Sequence, residues 1–191
     1  MSSFSAQPVT EEACDIVVEF LEAATHAILH ERGLYPPAVF ERRKKYDVAV
    51  WMSRHPELNE YIHAVLANVK KWMLKGAAEA VAVVFLDAEQ RTLERFVFQL
   101  ESLASQIGVG VAHSSGTLDE LEDCLRDALL KLSMCPPLPA LPSDATFKLI
   151  MFASRDARRE VAGAGGESGA AGGDSGRKAD SEGHAWIAAD P

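Results

Sequence analysis

Residues 80–87, AVAVVFLD, are apolar at seven of eight positions. An unbroken apolar run of this length suits a strand buried on both faces. Such a strand needs pairing partners on its edges and cover above and below. The chain supplies the partners. Residues 93–100, LERFVFQL, follow after the turn Ala88-Glu89-Gln90-Arg91 and complete a hairpin. Residues 146–153, TFKLIMFA, form another strong strand. The expected sheet is a three-stranded antiparallel unit of 80–87, 93–100 and 146–153.

Three helices can cover it. The first spans roughly 10–32, with Thr10 as cap and Glu11 and Glu12 at the positive end of the helix dipole. Val17, Phe20, Leu21, Ala24 and Ile28 make its apolar stripe, and Gly33 suits a left-handed stop. The second runs roughly 56–75, opened by Pro56 and closed by Gly76, with Leu58, Ile62, Val65, Leu66, Val69 and Met73 inward. The third runs roughly 118–134, where Thr117 and Glu120 form a capping box and Leu118, Leu121, Leu125, Leu129 and Leu132 line one face. Pro36-Pro37 breaks the chain after the first helix, and Pro136, Pro137, Pro139 and Pro142 break it after the third. Val48, Val50 and Met52 alternate as a short strand within 46–52. The fold class is α+β, three helices on a small antiparallel sheet, with the first helix between the sheet and the other helices.

Composition limits function. The formal net charge of −9, from 28 Asp+Glu against 19 Lys+Arg, argues against a broad nucleic-acid surface. The basic run Arg42, Arg43, Lys44 and Lys45 in FERRKKY is isolated. It reads as a solvated turn ahead of strand 48–52, with a nuclear-import signal as the alternative. Three cysteines, Cys14, Cys124 and Cys135, with no CxxC pair, suit a reducing compartment. MSSFSAQPVTEEACD lacks the features of a signal peptide, and no apolar stretch is long enough for a membrane span. The expected location is intracellular, in the cytosol or nucleus.

No catalytic constellation emerges. His26 and His30, with Glu22 one turn earlier, have helical zinc-ligand spacing, but no third ligand cluster and no HExxH accompany them. GVGVAHSSG (108–116) fails the GxxxxGK[ST], GxGxxG and GxSxG patterns and reads as a loop before a capped helix. Cys124 sits beside Glu122 and Asp123, which disfavour a thiolate. The chain is therefore read as a non-enzyme without cofactor or metal, an interaction module. Residues 155–183 are rich in glycine and serine, a flexible linker with a mean span of roughly 30 Å. It can return HAWIAADP (184–191) to the body. Trp186 there is either an anchor or added strand for a partner, or core packing.

A set of ordered words carries a family resemblance: EFLE, ILH, YP, RKKY, HPELN, VVFLD, FVFQL, LRDALLKLS, TFKL and WIAAD. In that order they resemble the HORMA domain family, in particular its branch of non-catalytic accessory subunits of translesion DNA polymerase zeta. The resemblance implies capture of an extended, proline-containing peptide, with a C-terminal segment closing over it as a safety belt. The implied partners are the catalytic subunit of DNA polymerase zeta and other DNA-repair or checkpoint proteins, in the nucleus. A HORMA role in the spindle checkpoint or meiotic chromosome axis is the alternative. Matched word by word, Tyr61, Phe147, Trp186 and Ala188 fall at peptide-contacting positions. Arg126, and more weakly Arg42, fall on the surface for homo- or heterodimers of HORMA domains. The implied domains are a tail (1–9), a HORMA core (10–154), the linker (155–183) and a belt remnant (184–191). The family pattern continues beyond WIAAD, so the belt is expected to be truncated and peptide capture short-lived.

Overall fold

The computed structural model describes residues 11–100, 118–134, 138–154 and 187–188. Helix α1 spans Glu11–Glu31, α2 Pro56–Leu74 and α3 Leu118–Ser133. Strands are β1 (Phe40–Lys45), β2 (Val48–Ser53), β3 (Ala78–Leu86), β4 (Thr92–Gln99), β5 (Thr146–Ala153) and β6 (Ile187–Ala188). The expected helices and the three expected sheet strands all form, within two residues of their anticipated ends. Thr10, Thr117, the loop 101–116, the linker 155–183 and Trp186 lie outside the described residues.

The larger sheet has the order β4-β3-β5-β6, and every described pairing is antiparallel. The apolar run is its central strand, buried without interruption from Val81 to Leu86. Side-chain alternation splits it between two clusters. Val81, Val83 and Phe85 join the main core, while Ala82, Val84 and Leu86 pack with Ile150 and Phe152 on the other face. Seven successive apolar residues were needed because both faces of this strand are covered.

Helix α1 buries ten of its 21 residues, including Phe20, Leu21, Thr25, His26 and Leu29. That many buried positions wrap well beyond one stripe, so the helix is enclosed. Phe20 meets Phe98 of β4 edge-on at 5.7 Å between ring centres. Helices α2 and α3 and strand β2 contact the rest of α1. Gly33 ends α1 with φ +63° and Gly76 follows α2 with φ +64°, both in the left-handed region that spares glycine a Cβ clash.

One expectation is corrected. The basic run is strand β1, paired with β2 from Phe40↔Ser53 to Lys45↔Val48. The turn is confined to Tyr46 and Asp47, with φ of 47° and 59°. Positive φ at both central residues matches the twist of a tight hairpin. Strand status is possible for four successive cations because each is neutralised or stacked. Arg43 pairs with Glu41 at 2.5 Å, Lys44 with Asp47 at 2.6 Å, and Lys45 with Glu19 of α1. The Arg42 guanidinium lies over Trp51, 5.6 Å from its ring centre.

Candidate functional site

Helix α2 starts where the His55 ring accepts the Leu58 N–H at 3.4 Å and Pro56 occupies the first turn. That start sets the direction of Tyr61 at the next turn. Tyr61 reaches across to β5, where its hydroxyl oxygen accepts the Leu149 N–H at 3.2 Å. Its ring meets Phe147 edge-on, with centres 5.7 Å apart and planes at 86°. Tyr35 meets Phe147 in the same manner, at 6.4 Å and 84°. Phe147 thus has two perpendicular aromatic neighbours, an arrangement favoured by ring quadrupoles.

These rings line an open groove of about 560 Å³, together with Leu34, Leu58 and Thr146. Burial, with the neighbouring Tyr61 adding, pushes the Tyr35 phenol above its ordinary range. The Tyr35 hydroxyl therefore stays neutral and can donate to a carbonyl. The groove lies beside strand β5, where, among the described residues, Ile150 and Met151 are paired by β6 through Ala188 and Ile187. The structure brings Tyr61 and Phe147 together and sets Ala188 three residues along β5 from Phe147.

The other two expected residues stand elsewhere. Arg126 on α3 pairs with Asp123 at 2.9 Å and shares a polar cavity with Tyr46, Asp47 and Glu122. Lys44 first, with a contribution from Arg126, holds the Asp47 carboxyl below its ordinary range. Arg42 lies at a separate apolar cavity of about 380 Å³ with Trp51, Val50, Leu129, Leu130 and Leu138. Both arginines face the region between the hairpin and α3.

Tyr35 was not anticipated, although its signal was present. It precedes Pro36-Pro37, which forces an extended backbone and turns the chain away from α1. The two histidines of α1 have unrelated roles. His30 stacks on Trp51 at 4.2 Å with planes 15° apart, whereas His26 is fully buried. Among the described residues no group of three or more His, Cys, Asp or Glu is placed to hold a metal ion. Neither Cys14 nor Cys124 is in a disulfide, and burial pushes the Cys14 thiol up. No helix among the described residues is long and apolar enough to cross a membrane.

A small antiparallel sheet with three helices, an enclosed first helix and a short final strand returning to the sheet defines a class of protein. The HORMA domain model matches residues 14–156, and the chain belongs to that family. The human mitotic spindle assembly checkpoint protein MAD2B is 40% identical over 148 residues, covering 77% of this chain and 68% of that one. The Arabidopsis thaliana DNA polymerase zeta processivity subunit is 38% identical over 130 residues, 64% of this chain and 56% of the other. Among solved structures, C. elegans HTP-1 bound to a HIM-3 closure motif matches with a TM-score of 0.59 at 14% identity, covering 80% of this chain and 75% of that one. A chain of the mitotic checkpoint complex matches with a TM-score of 0.56 at 22% identity, covering 76% and 77%. At those identities the structural likeness establishes the fold alone.

Proposed function

We propose that this chain is a non-catalytic adaptor that captures an extended peptide of a partner, as the accessory subunit of DNA polymerase zeta. The observation that carries this reading is the Tyr35–Phe147–Tyr61 cluster beside β5, whose edge away from β3 is paired, among the described residues, at Ile150 and Met151. Main-chain bonds along β5 would supply affinity and the rings a pocket for an apolar residue such as proline. The likeness to the Arabidopsis thaliana DNA polymerase zeta processivity subunit supports the choice of partner, and the likeness to the human spindle checkpoint protein supports the alternative. It is the catalytic subunit of polymerase zeta, with a spindle-checkpoint or meiotic-axis role as the alternative. Trp186 and Ala188 complete the peptide site in this reading, and the nucleus is the site of action.

Titration of proline-containing peptides from the polymerase catalytic subunit tests it. Tyr61→Ala and Phe147→Ala should each cost about 2 kcal/mol of binding free energy. Unchanged affinity in both would overturn the peptide-site assignment. A second surface is favoured by Leu130 and Leu138, both exposed at the cavity that Arg42 lines. We assign Arg42 at this cavity, and Arg126 at the polar cavity with Tyr46 and Asp47, to self-association. Sedimentation of Arg126→Ala and Arg42→Ala against the unmodified chain should show a loss of dimer; identical profiles would remove this surface.

A further inference from the structure

The groove holds one feature that rings and main-chain pairing do not explain. Among the described residues lining it, Glu57 is the sole carboxylate, and no lysine or arginine joins it. Its position follows from the helix. Glu57 and Tyr61 are four residues apart on α2, so they share one face, one turn apart. Glu57 is exposed, and among the described residues no cation lies within ion-pair distance of it. Many other acids of the chain are paired: Glu19 with Lys45, Asp15 with Lys70, Asp87 with Arg91 and Glu94 with Arg32.

We propose that Glu57 selects the peptide by charge, taking a lysine or arginine next to the apolar residue seated on Tyr35, Tyr61 and Phe147. The proposal rests on the peptide-capture reading of the same groove and adds a specificity determinant to it. Three effects act together on such a cation. The Glu57 carboxylate provides a charge-assisted hydrogen bond beside an apolar wall that displaces water. The ring faces of the two tyrosines attract the cation through their quadrupoles. The net charge of −9 raises the encounter rate of basic peptides. Spacing sets the register. Four residues of helix advance about 6 Å, which is about two residues of extended chain. The basic residue should stand about two positions from the one seated on Tyr61.

Glu57 also sits in the first turn of α2, where a carboxylate favours the helix dipole whatever binds nearby. The test must therefore read selectivity rather than stability. The full chain, Glu57→Gln, Glu57→Lys and Tyr61→Ala are each panned against a phage library of nine-residue peptides with a fixed central proline. The unmodified chain should enrich lysine and arginine at one position near the proline. Glu57→Gln should lose that preference, and Glu57→Lys should replace it with aspartate and glutamate. In solution, alanine at that position of a selected peptide should weaken binding to the unmodified chain about three- to tenfold. It should leave binding to Glu57→Gln unchanged. Enrichment of proline peptides without a basic preference, or a basic preference that persists in Glu57→Gln, would overturn the role of Glu57 while leaving peptide capture intact. No enrichment by the unmodified chain over Tyr61→Ala would overturn peptide capture itself, and the role of Glu57 with it.

Discussion

His26 is fully buried on α1, and neither ring nitrogen has a hydrogen-bond partner among the described residues. Desolvation lowers its pKa from 6.5 to about 4. The folded state therefore binds fewer protons than the unfolded one between those values. Stability is therefore independent of this ring's titration above pH 6.5 and is lost as pH falls from 6.5 towards 4, because the unfolded chain takes up the proton that the buried ring resists. The loss should amount to about 3 kcal/mol, measured as a falling urea midpoint across that window. His26→Leu should flatten this profile. It should also raise stability at neutral pH by about 1 kcal/mol, because it removes unsatisfied polar atoms from the core. A variant that keeps the acid-sensitive profile would assign it to another group. The spacing of His26 and His30 was legible in the sequence, but their roles were not. Periodicity places two rings on one helix face and says nothing about what packs against each.

The hairpin shows the same boundary for a whole element. FERRKK has no apolar alternation, and four adjacent cations suggest solvent. Arg43 pairs within the word, with Glu41, but the other three cations are met by residues elsewhere: Glu19 from α1, Trp51 from β2 and Asp47 from the turn. Those three contacts are not a property of the six-residue word. In contrast, the helices and β3, β4 and β5 were readable because each carries its own period, caps and stops. The hairpin turn also holds two non-glycine residues at positive φ, Tyr46 and Asp47. Tyr46 compensates by donating its hydroxyl to the Ile16 carbonyl at 3.0 Å. Asp47 offers only its exposed pair with Lys44, which contributes little. Asp47→Gly should therefore stabilise the chain by about 0.5 kcal/mol in chemical denaturation, since glycine adopts this conformation without a Cβ clash. Destabilisation instead would show that the carboxylate matters more than the backbone.

For the whole molecule, Arg32 joins parts that are far apart in sequence. Its side chain donates to Glu94 of β4 at 2.5 Å and to the Pro139 carbonyl at 2.6 Å. The end of α1 is thereby tied to the sheet and to the segment that leads into β5. With only 9% and 20% of the two side chains exposed, this ion pair is largely shielded from solvent. Arg32→Ala leaves Glu94 without its partner and should cost about 2 kcal/mol. Urea unfolding measures that cost, and amide exchange in β5 should speed up with it. Exchange rates that stay constant would separate the clasp from the positioning of Phe147.

Sequence reading was enough for the three helices, for strands β3, β4 and β5, and for the fold class. Local periods, caps and stops report burial without any knowledge of the partner surface, and family words such as HPELN and TFKL mark Tyr61 and Phe147. It took the packed chain to show that the basic run is a strand, that Tyr35 joins those two rings, and that Glu57 is the one carboxylate among the described residues lining their groove. All three cases share one cause. Each depends on a contact between residues distant along the chain, and such contacts exist only once packing has brought their elements together.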